Sequence, residues 1–115
     1  MTAVDIRSAA DVEERIIRLS DVLEEETERY ADLAEQRAEA ESDYKYRHSR
    51  ALVEQAGKIP VATKDAVAHL RASDDYRRWK ILEAREKATQ QKLIAARSQL
   101  DALRTVAANV RAATR

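Results

Sequence analysis

Helix-breaking residues occur at a single place in this chain, and this restricts the folds that it can adopt. The one glycine and the one proline among 115 residues are Gly57 and Pro60. Gly57 suits the left-handed residue that follows a helix end, and Pro60 disfavours a helical conformation at Ile59. Because a compact globular fold needs several turns, the sequence predicts an all-α protein of two long helices joined by a short hinge. We expect a single domain over 1–115, with helix one at about 8–56, the hinge at 57–62 and helix two at about 63–113.

Residues near the two helix starts fit N-terminal caps. Ser8 is followed three residues later by Asp11, which is a weak form of the capping box. Thr63 follows the hinge and is a candidate N-cap for helix two. The two helices are therefore predicted to begin close to Ser8 and Thr63.

Apolar residues in both helices recur at alternating steps of three and four, the spacing of a coiled-coil seam. The ladder of helix one consists of Val12, Ile16, Leu19, Leu23, Tyr30, Leu33, Ala40, Tyr44 and Ala51, and its polar gaps are Glu26, Arg37 and Arg47. The ladder of helix two consists of Trp79, Leu82, Leu93, Ala96, Leu100, Leu103, Ala107 and Val110, and its polar gaps are Glu86 and Thr89. Both ladders predict packing along the length of the helices.

Composition indicates that these helices need partner chains. Charged residues make up 37% of the chain and aromatic residues 4%, so a lone copy would bury little apolar surface. At 1.5 Å rise per residue, a helix of fifty residues would be ~75 Å long. We therefore expect a homo-oligomer with an interface at Trp79, Leu82, Leu93, Ala96, Leu100, Leu103 and Val110. Two arrangements stay open: an antiparallel helical hairpin, or an extended chain whose helices pack against neighbouring copies.

A net charge of zero conceals a strong asymmetry along the chain. Residues 1–42 carry 13 acidic side chains against 5 arginines, whereas residues 43–115 carry 16 lysines and arginines against 8 acidic side chains. Either the two halves neutralise each other when they fold together, or the basic half binds a polyanion while the acidic half meets another partner.

Catalytic and metal-binding constellations are missing from the sequence. The absence of cysteine removes disulfides and thiolate sites, and a single glycine cannot build a phosphate-binding glycine loop. His48 and His69 could approach each other across a hairpin, but no carboxylates clearly converge with them to complete a metal site. We expect a protein that is not an enzyme and has neither a metal nor a cofactor.

Targeting signals are also missing. Residues 1–16 contain no apolar segment of signal-peptide length, and no run of 18 apolar residues occurs. Together with the absence of cysteine, this favours a cytoplasmic protein with no membrane partner.

The hinge is flanked by basic and aromatic residues. Single-stranded nucleic acid is bound by this combination, because cations follow the phosphates while flat rings stack on bases. The predicted contacts to single-stranded DNA are Lys45, Tyr46, Arg47, Arg50, Lys58, Lys64, Tyr76, Arg77 and Lys80, with Tyr46 and Tyr76 as the stacking residues. Tyr44 and Trp79 also fit the ladders, where they would be core anchors instead. Cations matched by carboxylates would argue against DNA binding.

The order of these features resembles the UvsY-type recombination mediators of bacteriophages. Lys45-Tyr46-Arg47 matches their basic K-x-R, a glycine-containing turn follows, and KLIAARSQLDALRTVAANVR at 92–111 is similar to their C-terminal assembly helix. The similarity covers roughly residues 35–112. It implies a ring-like oligomer in the host cytoplasm that binds single-stranded DNA through Lys45 and Arg47. It also implies a non-enzymatic role in recombination or replication, in which a RecA-like recombinase replaces the single-strand binding protein.

The acidic first helix supports a different interpretation. A coiled-coil adaptor or scaffold would bind a basic surface of a host or phage protein through this helix. Such a protein would have no affinity for nucleic acid, so the two hypotheses are separable by a binding measurement.

Overall fold

The computed structural model describes residues 8–113, and all of the regular secondary structure in that range is helical. Helix α1 spans Ala9–Glu54, α2 spans Val61–Arg71 and α3 spans Ser73–Ala113. The predicted all-α class is confirmed, and the end of α1 lies within two residues of the predicted one. None of these helices contains an apolar segment long enough to cross a membrane.

The helix boundaries beside Ser8 and the hinge follow local chemistry. The Ser8 Oγ accepts a hydrogen bond from the Asp11 N–H at 3.2 Å, so the predicted cap of α1 is present. Gly57 has a φ of 99°, a left-handed conformation that side chains with a Cβ rarely adopt. The second cap differs from the prediction, because the Pro60 carbonyl accepts the first hydrogen bonds of α2, from the N–H groups of Thr63 and Lys64. Pro60, with φ −55° and ψ 143°, is therefore the N-cap itself, and α2 begins two residues before Thr63.

The structure divides the predicted second helix into two at Ala72. This residue has φ −101° and ψ 12°, outside the helical range, although its N–H still bonds to the Ala68 carbonyl at 3.0 Å. The next three residues are Ser73, Asp74 and Asp75, which favour the first turn of a helix because serine and carboxylate oxygens accept from free N–H groups there. Apolar periodicity could not reveal this break, since Ala72 is buried and keeps the spacing of the ladder.

The chain forms two compact units. The first contains the chain up to Arg29 and from Thr89 onward, and the second runs from Tyr30 to Ala88. The acidic start of the chain therefore shares a unit with its basic end. By residue count the first unit has 10 acidic against 9 basic side chains, and the second has 11 against 12. Most of the charge asymmetry along the sequence is thus balanced within each unit.

Within the second unit, α1 runs antiparallel to the α2–α3 segment. Four ion pairs join the two, and residue numbers fall on one side as they rise on the other. These pairs are Arg37–Glu86 (2.7 Å), Asp43–Arg78 (3.4 Å), Arg47–Asp75 (2.5 Å) and Glu54–Arg71 (4.0 Å). A hairpin over the whole chain stays a prediction.

The predicted ladders form the core. Every ladder residue of both helices is buried or half-buried. The buried apolar residues in the described range are Val12, Ala40, Ala51, Ala68, Ala72, Leu82, Leu93, Ala96, Leu100 and Ala107. Because six of these ten are alanine, the core is thin and each position contributes little buried area.

Four of the five polar gaps in the ladders form ion pairs. Arg37 and Glu86, which interrupt opposite ladders, form an ion pair with each other at 2.7 Å. The hydrogen bond to Glu86 raises the pKa of the Arg37 guanidinium. Thr89 is buried, and Glu26 is paired with Arg29 at 3.2 Å. The gap predicted at Arg47 is exposed, and the neighbouring His48 is the half-buried residue.

The predicted oligomer interface is largely covered within one chain. Leu82, Leu93, Ala96 and Leu100 are buried, and Trp79, Leu103 and Val110 are half-buried. A single copy therefore accounts for the burial of these side chains. The homo-oligomer stays a prediction, and a second chain would have to add to this seam or use another surface.

Candidate nucleic-acid interface

Charge is separated inside the second unit. Its part from Lys45 to Lys80, which we call the hinge end, carries nine basic and four acidic side chains, a net charge of +5. The remainder of the unit, residues 30–44 and 81–88, carries three basic and seven acidic side chains, a net charge of −4. The hinge end therefore attracts anions even though the whole unit is nearly neutral.

Carboxylates match four of the seven predicted DNA-binding cations. Both side chains of three of these pairs lie within one helix, at spacings of three or four residues, and Arg47 pairs across to α3. The pairs are Lys45–Glu41 (3.3 Å), Arg47–Asp75 (2.5 Å), Arg50–Glu54 (2.8 Å) and Lys80–Glu83 (3.6 Å). These ion pairs weaken the case for DNA binding, since cations matched by carboxylates were the observation that would argue against it. All four cations remain exposed, however, and exposed pairs contribute little net free energy in water.

The other three predicted cations have no ion pair within residues 8–113. Lys58 and Arg77 are exposed, and Lys64 is half-buried. The carbonyl of Lys64 accepts a hydrogen bond from the Gln55 amide at 2.9 Å, and the same amide bonds to the Ala51 carbonyl at 3.1 Å. Gln55 thus fixes the end of α1 to the start of α2 and holds the backbone that carries these lysines.

An aromatic cluster lies next to these cations, with Tyr44 at its centre. The Tyr44 ring stacks on Trp79 with centroids 5.5 Å apart and meets the edge of Tyr76 at 5.2 Å. Its hydroxyl is 3.1 Å from Nδ1 of His69, and its ring is 5.6 Å from that of His48. Tyr44 and Trp79 are therefore packing anchors of the second unit, which was the alternative interpretation of their positions.

Only one of the two predicted stacking residues is open to solvent. Tyr46 is 66% exposed on α1. Tyr76 is half-buried, with the rings of His69, Tyr44 and Trp79 within 4.9–5.8 Å. Lys80 lies over the same rings, with Nζ 4.2 Å from the Trp79 centroid, so its charge is partly engaged by a cation–π contact. A base can stack on Tyr46 without any rearrangement, whereas the ring of Tyr76 is already packed in the aromatic cluster.

A groove of about 390 Å³ lies between α1 and α2 in the hinge end. It is lined by Arg47, Arg50, Ala51, Glu54 and Arg71. Arg71 was not among the predicted contacts, although a signal was present in the sequence. Arg50 and Arg71 lie ten and eleven residues from Pro60 on opposite sides, so an antiparallel packing about the hinge brings them together.

Hydrogen bonding holds Arg50 in its charged form. The hydrogen bond that Arg50 donates to Glu54, followed by the one that it donates to Tyr46, raises the pKa of the Arg50 guanidinium. Since both acceptors are on α1, at positions four residues before and after Arg50, the helix itself orients this cation towards the groove.

The two histidines do not form a metal centre. Both contact Tyr44, at ring distances of 5.6 Å for His48 and 6.1 Å for His69. Across residues 8–113 no three His, Cys, Asp or Glu side chains are placed to hold a metal ion together.

Comparison with known proteins adds no relative. No family model matches this chain, and neither a curated protein nor a solved structure is significantly similar to it. The resemblance to the UvsY-type mediators rests on the residues quoted above.

Proposed function

We propose that this chain is a non-enzymatic helical protein that binds single-stranded DNA through its hinge end. The observation that carries the proposal is the separation of charge within the second unit, +5 at the hinge end against −4 in the remainder. Binding to a charged strand releases condensed counterions, so a local cationic surface suffices even on a nearly neutral protein. The exposed Tyr46 adds a stacking surface among those cations.

The existing ion pairs are compatible with this function. Phosphate oxygens are strong acceptors for guanidinium and ammonium groups, and all four paired cations are exposed, although Glu54 is the only exposed carboxylate among their partners and Glu41, Asp75 and Glu83 are half-buried. A phosphate strand can therefore reach these cations from solvent, and it should displace Glu54 more easily than the half-buried carboxylates.

A role in recombination or replication extends the proposal. The match of Lys45-Tyr46-Arg47 and of residues 92–111 to phage recombination mediators suggests a homo-oligomer that helps a RecA-like recombinase replace the single-strand binding protein. Several hinge ends in one assembly would bind one strand together, which turns a weak contact into a strong one.

Fluorescence anisotropy of a labelled oligothymidine tests the central claim. We expect binding at micromolar protein in low salt and a steep loss of affinity as salt rises, with about 0.7 counterions released per phosphate contacted. An anisotropy that stays at the value of the free oligonucleotide in both salt conditions rejects the proposal.

A pair of double variants tests where the strand binds. Replacing Lys45 and Arg47 by alanine should lower the salt slope by about 1.4, because two phosphate contacts are lost. Replacing Arg97 and Arg104, which lie on α3 in the first unit, removes the same charge and should leave the slope unchanged. Size-exclusion chromatography with light scattering checks that neither variant alters the oligomeric state.

One observation favours an adaptor function as a second candidate. On α1 in the first unit, Asp21, Glu24, Glu25 and Glu28 are exposed and have no ion pair with any residue in the described part of the chain. A basic protein surface would complement them. Replacing Glu25 and Glu28 by glutamine should abolish nuclease-resistant capture of such a protein, while the Lys45 and Arg47 variant should retain it.

A further inference from the structure

The groove between α1 and α2 brings like charges together. Arg50 and Arg71 face it from opposite helices, and Arg47 lines it beside them. Glu54 serves two of these cations with one carboxylate: Oε1 is 2.8 Å from Arg50 Nε, and Oε2 is 4.0 Å from Arg71 Nη1. Buried Ala51 forms the floor. The groove therefore already holds an anionic group, the carboxylate of Glu54.

Arg50 and Arg71 keep free donors in the groove. Each guanidinium has five N–H groups, and the contacts to Glu54 use one nitrogen of Arg50 and one of Arg71. Arg50 also bonds to Tyr46, and Arg47 is paired with Asp75 at 2.5 Å. A backbone phosphate has two non-bridging oxygens, as a carboxylate has two oxygens, so it can accept from both guanidiniums in the way that Glu54 does. The groove can therefore hold a backbone phosphate in place of the carboxylate that it contains.

The position of Glu54 at the end of α1 allows its side chain to rotate out of the groove. It is the last residue of α1, and the chain beyond it is non-helical up to Pro60. A carboxylate at a helix C-terminus is repelled by the negative end of the helix dipole, so its position does not stabilise α1. Its side chain is 51% exposed, and its rotation into solvent would open both arginines to a ligand.

We infer that this groove binds one backbone phosphate of a single strand and that Glu54 is an internal competitor which the phosphate displaces. The inference rests on the proposed DNA-binding function and names the subsite within it. Tyr46 lies one turn before Arg50 on α1 and is exposed, so the base next to the bound phosphate stacks on its ring. Free inorganic phosphate has the same chemistry at the groove but lacks the base.

Replacing Glu54 by glutamine tests the competition. Glutamine keeps the size and helix propensity of the side chain but removes the charge that holds the arginines. We expect oligothymidine to bind about threefold more tightly at low salt, the effect of releasing weak exposed ion pairs. Glu35→Gln is the matched control, because Glu35 is exposed on α1 in the same unit and has no ion pair within residues 8–113. Equal effects of the two changes would mean that only overall charge matters, and would overturn the inference.

Replacing Arg71 by alanine tests the groove from the other helix. Affinity for oligothymidine should fall about threefold, whereas Arg104→Ala in the first unit should change it little. A Tyr46→Leu variant should bind oligothymidine more weakly than Tyr46→Phe, and the two should bind inorganic phosphate equally, because both lack the hydroxyl that accepts from Arg50 and only phenylalanine keeps a ring for stacking. Circular dichroism establishes that each variant is folded.

Nuclear magnetic resonance of the arginine Nε–H groups separates the failure of this subsite from failure of the function. We expect inorganic phosphate and oligothymidine each to shift the Arg50 and Arg71 signals. Oligothymidine should do so at a lower total concentration of phosphate groups than inorganic phosphate. If oligothymidine binds without shifting them, the DNA-binding function stands and the subsite is wrong. If inorganic phosphate shifts them but oligothymidine does not bind, the groove holds a small anion only, and both proposals fail.

Discussion

Truncation of Leu93 to alanine is the sharpest test of how this chain buries its core. Leu93 is 5% exposed in the seam, whereas the next residue, Ile94, is 50% exposed. Both changes remove three carbon atoms from neighbouring positions of α3. The pair therefore compares burial at nearly the same place in one helix, and the lower helix propensity of isoleucine is the main other difference.

The burial sets the size of the expected effect. Removing three buried carbons costs about 2.4 kcal/mol at about 0.8 kcal/mol for each. The alanine-rich seam can partly collapse around the gap, so we expect a total of about 2.5 kcal/mol, near the lower end of the range for leucine-to-alanine changes. Ile94→Ala removes about half as much buried apolar area as Leu93→Ala, and the better helix propensity of alanine offsets part of that loss. We therefore expect a destabilisation of about 0.7 kcal/mol.

Urea denaturation followed by circular dichroism measures both changes. With a slope of about 1.5 kcal/mol per molar urea, the midpoint should fall by about 1.7 M for Leu93→Ala and by about 0.5 M for Ile94→Ala. Equal shifts for the two variants would refute the burial argument. A wild-type midpoint that rises with protein concentration would show that chains associate, and loss of this dependence in Leu93→Ala would assign Leu93 to the predicted oligomer interface.

Three further sets of variants test the hinge, the aromatic cluster and the polar gap, each by the same urea assay. Gly57→Ala should cost about 1–2 kcal/mol through backbone strain alone, because φ is 99° and no atom lies within 4 Å of the added Cβ. Tyr44→Phe removes the exposed hydrogen bond to His69 and keeps the ring contacts, so it should cost only about 0.5 kcal/mol. Arg37→Ala and Glu86→Ala should each destabilise the protein, and the double variant should lose less than the sum, since they form one pair. Additive losses would contradict that pairing.

The covered face of each helix was predictable because it depends only on spacing along one helix. Residues three and four apart lie on the same side, so both ladders could be read from the sequence, and each member is buried or half-buried. The cap at Ser8 and the turn at Gly57 were predictable for the same reason, since each involves atoms only a few residues apart. The break at Ala72 was missed because a buried alanine continues the spacing across it.

The sequence by itself determined that the chain is helical, where its first helix ends and which faces the helices bury, because glycine, proline and apolar spacing act through local backbone geometry. Only the tertiary structure decided which charges meet. The match of Arg37 with Glu86, the contact of Arg71 with Glu54 and the cluster around Tyr44 depend on the register between α1 and the α2–α3 segment within the second unit. Packing between helices sets this register, and a change of a few ångströms decides whether two charged groups are close enough to pair. Composition and net charge therefore cannot show which ion pairs form.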